Sequence, residues 1–160
     1  MNYSIIINLT NHWIKSMDME IMQEGYNAHI GNRWQGGQLG GQLIKSLKAN
    51  VEDVKVMAVG TNATATATML KAGADQAATG ENPVIVASRK ADVIIGPIGI
   101  VIADALFGEI TPQMAIAVGQ ADAVRILLPM NRCDNLVAGV SDLSTTTILE
   151  DVILKLKKYC

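Results

Sequence analysis

Gln35-Gly36-Gly37-Gln38-Leu39-Gly40-Gly41 runs directly into Gln42-Leu43-Ile44-Lys45-Ser46-Leu47. The glycines mark a turn. Leu39, Leu43, Ile44 and Leu47 recur at helical spacing, which predicts an amphipathic helix over about 38–49. A glycine turn opening a helix is where a backbone approaches a phosphate closely, with the first N–H groups of the helix facing the anion. Gly36, Gly37 and Gly40 are the candidate phosphate contacts. The spacing is neither GxGxxG nor a P-loop ending in Lys-Ser/Thr. Tight helix packing with no ligand is the competing explanation.

Beyond that helix, apolar runs alternate with helical patterns. Val54 to Val59 predicts a buried strand ending at Gly60. Thr61 or Asn62 caps a helix through about Ala72, with Gly73 just past its end. Pro83 to Ala87 and Val93 to Ile95 read as short strands, the second ending at Gly96-Pro97-Ile98-Gly99. Ile100 to Phe107 reads as a helix. Thr111-Pro112 starts another helix, running to about Gln120. Val124 to Leu128 is a strand, Leu136 to Val140 a short edge strand, and Thr146 to Tyr159 a terminal helix.

Near-continuous apolar strands alternating with helices predict an α/β fold: three Rossmann-like layers, a mostly parallel sheet with helices on both faces. In such sheets ligands bind beyond the carboxyl ends of the strands. That rule brings Gly60-Thr61-Asn62, Gly80-Glu81-Asn82, Gly96 and Asn131-Arg132-Cys133 to one rim. Thr61, Asn62, Asn82, Gly96 and Arg132 are the candidate rim contacts for a ligand. Arg132 suits a phosphate or carboxylate. A dinucleotide reader also wants an acid closing its second strand, to hold the ribose hydroxyls. Here that place is Gly60-Thr61-Asn62, with no acid. Plain helix capping competes with ligand contact for Thr61 and Asn62.

For catalysis, Cys133 is a candidate nucleophile if Arg132 or a helix start stabilises its thiolate. Glu81 is a candidate general base. Against these stand a small buried cysteine and a solvated loop glutamate. Whether the chain is an enzyme stays open. Asp104, on the apolar helix expected over Ile100 to Phe107, reads best as a hydrogen-bonded or interface carboxylate.

The chain has 160 residues, enough for one domain with a full core. Only 18% are charged, and mean hydropathy is positive. That combination predicts a homo-oligomer, most simply a symmetric dimer. A net charge of −2 and no Lys/Arg cluster argue against nucleic acid. Lys155, Lys157 and Lys158 complement the end of the last helix. The two cysteines, Cys133 and Cys160, fit no zinc or CxxC pattern, and free thiols predict a reducing, cytoplasmic setting. No metal site is expected. No apolar run reaches the roughly 18 residues that span a bilayer, and the first residues do not make a signal peptide.

Composition breaks near residue 34. Residues 1–34 hold both tryptophans and both histidines, no valine, and one alanine. They are expected to be an atypical N-terminal segment, with the α/β domain over 35–160.

Several stretches occur in a telling order: Gly60-Thr61-Asn62-Ala63, Met69-Leu70-Lys71-Ala72-Gly73-Ala74, Ala78-Thr79-Gly80-Glu81-Asn82, Gly96-Pro97-Ile98-Gly99-Ile100-Val101, Gly108-Glu109-Ile110-Thr111-Pro112 and Pro129-Met130-Asn131-Arg132-Cys133. Together, over about 35–158, they resemble a bacterial family, domain-of-unknown-function family 3842. The resemblance implies a Rossmann-like domain with a nucleotide-binding turn, for NAD(P) or another nucleotide, and no assigned activity. In that family the first strand runs into a turn resembling Val-Ile-Asp-Gly-Gln-Gly-Gly. Here Gly31-Asn32-Arg33-Trp34 stand before Gln35.

Codons GGN AAY CGN TGG for those four residues, read from the second base, can become GTA ATC GAT GG, encoding Val-Ile-Asp and the start of a glycine. Residues 1–34 are therefore hypothesised to be a frame-shifted translation of a lost first strand, with a genuine extension as the rival. Resequencing the coding DNA decides between them; an intact gene in independent isolates would sink the frameshift. Either way the sheet needs its central slot filled, and Ser4 to Leu9 is the expected substitute strand.

Overall fold

In the structure, a computed structural model, residues 3–8, 38–129, 135, 137–140 and 143–159 are described. The elements run β1 (Tyr3–Asn8), α1 (Gln38–Asn50), β2 (Lys55–Gly60), α2 (Ala63–Lys71), β3 (Gln76–Thr79), α3 (Glu81–Ser88), β4 (Val93–Pro97), a 3₁₀ turn (Ile98–Val101), α4 (Pro112–Gly119), β5 (Val124–Leu128) and α5 (Thr145–Tyr159). The fold is α/β.

The strands form one sheet in the order β3-β2-β1-β4-β5. β2 pairs with β3, and β4 with β5, in parallel. β1 lies between the two parallel pairs and runs antiparallel to both. Tyr3 stands opposite Gly60, and Ile6 opposite Met57 on one side and Ile94 on the other. The central slot is thus filled by the expected N-terminal stretch, but against the direction of the other four strands. A strand that arrives in reverse still completes both hydrogen-bond ladders, because antiparallel pairing satisfies backbone groups as fully as parallel pairing.

The apolar spacing of α1 determines how it packs. Leu43, Ile44 and Leu47 are almost wholly buried. They share one core with Ala65 and Met69 of α2, Val152 and Leu156 of α5, Val56 and Ala58 of β2, and Val93 and Ile95 of β4. A second core gathers Val84 and Ala87 of α3, Met114, Ala115 and Val118 of α4, and Val59 and Ile94 of the sheet. Val93, Ile94 and Ile95 alternate between the two cores, as the two-residue period of a strand requires. Each fully buried Leu or Ile contributes about 1.5–3 kcal/mol.

Three local expectations need correction. Pro83–Ala87 is not a strand: Glu81–Ser88 is helix α3. Gly80, at φ +104, turns the chain into it, and Pro83 sits in the first turn, where a missing N–H costs nothing. The strand of this region is β3, only four residues long and made of small or polar side chains. Ile100–Phe107 is not an α-helix either. After the 3₁₀ turn, Asp104, Leu106 and Phe107 adopt positive φ, which no helix continues. Asp104 accordingly lies in a turn, its N–H donating to the Ile110 carbonyl at 2.8 Å. Of the expected edge strand 136–140, residue 136 lies outside the described residues. Ala138 and Gly139 form a turn, with Gly139 at φ +81.

The remaining caps follow their sequence signals. Asn62 Oδ1 accepts from the Ala65 N–H at 2.9 Å, and Thr111 Oγ1 accepts from the Met114 N–H at 3.2 Å. At the opposite edge, Asp75 ties β3 to β2. Its Oδ2 accepts from the Val56 N–H at 2.7 Å and from Lys48 Nζ at 2.6 Å. Burial alone would raise the Asp75 pKa, but the Lys48 ammonium and the Val56 N–H outweigh it and hold the carboxyl below its ordinary value.

Candidate functional site

β2, β3, β4 and β5 share one direction, so their carboxyl ends share one edge. Gly60, the last residue of β2, and Gly80, which follows β3, are stitched together there. The Gly80 N–H donates to the Gly60 carbonyl at 3.0 Å. The Thr66 and Thr79 hydroxyls share a 2.7 Å hydrogen bond. Gly60 is buried under the first turn of α2. A Cβ there would stand 2.9 Å from the Thr66 nitrogen and 3.0 Å from the Asn62 carbonyl oxygen. The glycine therefore serves the close approach of helix to strand.

The structure places the expected residues unequally. Gly40, in the first turn of α1, and Gly96, in β4, line one narrow crevice with Leu39, Leu43, Pro97 and Leu128. Its volume is about 10 Å³, room for a single water. This crevice lies between the start of α1 and the carboxyl ends of β4 and β5. Asn62 is engaged as the cap of α2. Asn82 is exposed in the first turn of α3. Gly36, Gly37, Arg132 and Cys133 lie outside the described residues.

The Glu81 carboxylate accepts from the Thr111 hydroxyl. It thus sits at the start of α3 and against the start of α4, where the helix dipoles favour negative charge. This arrangement supplies a helix-start anchor for Glu81. A larger hollow of about 260 Å³ runs beside β5, between Arg125, Leu143, Asp151 and Lys155.

Glu109 is the residue that sequence reasoning missed. Thr61 Oγ1 donates to Glu109 Oε2 at 2.8 Å, across 48 residues of chain. The acid absent from the end of β2 in sequence is present there in space. It is delivered by the turn between the 3₁₀ segment and α4. Leu106 and Ile110 anchor that turn in the core at 7% and 3% exposure. Phe107 stands fully exposed at its crest. No spacing rule links Thr61 to Glu109; the only signal was a glutamate between Gly108 and the Thr111 cap.

Among the described residues, no group of three or more His, Cys, Asp or Glu side chains is placed to hold a metal ion, and no helix is long and apolar enough to cross a membrane.

The chain belongs to the family described as Domain of unknown function (DUF3842), whose model matches residues 33–160. No curated protein and no solved structure matches it.

Proposed function

We propose that this member of the family is a Rossmann-like, three-layer domain that binds a nucleotide or other phosphate-bearing small ligand at the carboxyl edge of its sheet. The observation that carries the proposal is the meeting of Gly40, at the start of α1, and Gly96, at the carboxyl end of β4. A helix start beside a side-chain-free position at a strand's carboxyl end lets a ligand's phosphate reach backbone N–H groups. The crevice itself is too small for a ligand, so the phosphate rests over its mouth. Support for the layered architecture comes from the two cores, to which alternate residues of β4 contribute.

Thermal unfolding with NAD(P), flavins and mononucleotides tests the proposal. A ligand at 100 times its Kd adds about 2.7 kcal/mol, which raises Tm by several degrees in a domain of this size. No stabilisation by any of them overturns the reading.

A second reading, a non-catalytic oligomeric role, is favoured by the outward faces of α3 and α4. Val86 and Ile116 are exposed there, and α4 carries no charged residue. A symmetric dimer axis sets like against like, which an uncharged face tolerates. Light scattering that finds a monomer removes this second reading.

A further inference from the structure

We infer that Thr61 and Glu109 form the sugar-hydroxyl subsite of the proposed ligand site, and that the ligand carries an unmodified ribose cis-diol. This rests on the nucleotide reading above and deepens it.

The first argument is position. The Thr61–Glu109 pair stands just beyond the last residue of β2. β1 alone separates β2 from β4, so the pair and the Gly40–Gly96 crevice lie about two strand spacings apart, on the order of 10 Å. A nucleotide whose phosphate sits over the helix start places its ribose toward the end of the second strand.

Chemistry gives the second argument. A carboxylate is an acceptor with two oxygens and suits a pair of vicinal hydroxyls. The Thr61 hydroxyl both donates and accepts. Its hydrogen bond fixes Oε2 at the strand end and orients the carboxylate. Two neighbouring polar groups have structural roles: Asn62 caps α2, and Glu81 is held by Thr111 at the start of α4. Neither Thr61 nor Glu109 is fully exposed, so the pair is partly screened from water and discriminates more sharply than a solvated glutamate.

Electrostatics then sets specificity. A fixed negative charge at the diol position repels a 2′-phosphate and leaves a 2′-deoxy sugar one hydrogen bond short. The site therefore takes the unphosphorylated, ribose form of a nucleotide.

Calorimetric titration of the full chain with NAD⁺, NADP⁺, ATP and 2′-deoxy-ATP tests this. The expected result is at least tenfold tighter binding of one ribose nucleotide than of its 2′-phosphorylated or 2′-deoxy counterpart. Glu109→Gln, which keeps the shape and an acceptor but removes the charge, should erase most of the discrimination against NADP⁺. Its unliganded melting temperature, and that of Glu109→Asp, separates lost recognition from lost folding. Equal binding of all four probes overturns the subsite while leaving the nucleotide reading standing. Wild-type discrimination that survives intact in a folded Glu109→Gln variant also overturns it. Binding of none of the four, together with no stabilisation by any nucleotide, overturns both.

Discussion

Gly60 lies directly beneath Thr66: a methyl group on Gly60 would stand 2.9 Å from the Thr66 backbone nitrogen. The Asn62 carbonyl oxygen, at 3.0 Å, closes the same space. The nearest atom is the Thr66 hydroxyl, which can rotate away, but these two are backbone atoms at the start of α2, and rotating a side chain cannot relieve them. Gly60→Ala should destabilise the protein by about 1–3 kcal/mol, the usual cost of overpacking. Adding Thr66→Ala should recover only part of this loss. Urea unfolding of the single and double variants measures it; full recovery would mean that the Thr66 side chain alone was in the way. Gly80→Ala offers a contrast, since nothing lies within 4 Å of its added carbon. Its cost, also about 1–3 kcal/mol, comes from φ +104 and ψ −174, a region open essentially to glycine.

Asp75 makes folding sensitive to acid. Its carboxyl is held below the ordinary value because the Lys48 ammonium and the Val56 N–H outweigh the effect of burial. A lowered native pKa means that the folded state binds this proton less readily than the unfolded chain. The contribution is therefore present above the unfolded value, about pH 4, and is lost as pH falls through the lower native value. The ion pair is partly solvated, with side chains 30% and 34% exposed, so Asp75→Asn should cost only about 1 kcal/mol at pH 7. The gap between variant and wild type should close as unfolding is followed from pH 5 towards pH 2. A gap that stays constant would show that charge is irrelevant here.

Leu156 is wholly buried in the core that α5 shares with α1 and the sheet. Leu156→Ala should cost about 2–5 kcal/mol. Leu154, on the same helix but 56% exposed, should change by no more than about 0.5 kcal/mol when shortened to alanine. Chemical denaturation of the two variants compares them directly, and equal losses would show that α5 does not pack as described.

Strand direction can be tested in solution. Antiparallel pairing of β1 puts its residues directly opposite partners on both neighbours, with alternating close Cα pairs of about 4.5 Å. Cross-strand Hα–Hα contacts should therefore link alternate residues of β1 to β2 and the intervening residues to β4, all in the register that sets Ile6 opposite Met57 and Ile94. Their absence from a well-resolved NMR spectrum would rule out the reversed strand. Ile6→Pro, which breaks a ladder in mid-strand, should cost about 3 kcal/mol or more.

Sequence patterns revealed those elements that carry their own signals. The Leu39, Leu43, Ile44, Leu47 spacing and the caps Asn62 and Thr111 are local, and local chemistry decided them. The run Pro83–Ala87 failed because five apolar residues have no period that separates strand from helix. Its true neighbour β3 was hidden because an edge strand of Gln, Ala and Thr displays no apolar run. The segment after Ile100 failed because Leu106 and Phe107 take positive φ without a glycine or asparagine to announce it. At the candidate site, Gly40, Gly96 and Thr61 were visible as turn residues. Glu109 was not, since its role depends on a contact spanning 48 residues.

The reversed strand also sets an order of events in time. β1 leaves the ribosome before either of its neighbours exists. Tyr3 must wait for Gly60, and Ile5 for Ile95, before its ladders can close. The helices α1 to α3 and the β2–β3 pair can assemble during that wait, leaving a gap with bare backbone on one side. The β1–β4 ladder cannot close until Ile95 has been made, and such long-range closure slows folding. Until then the open edge of β2 is the nascent chain's most exposed invitation to pair with a stranger.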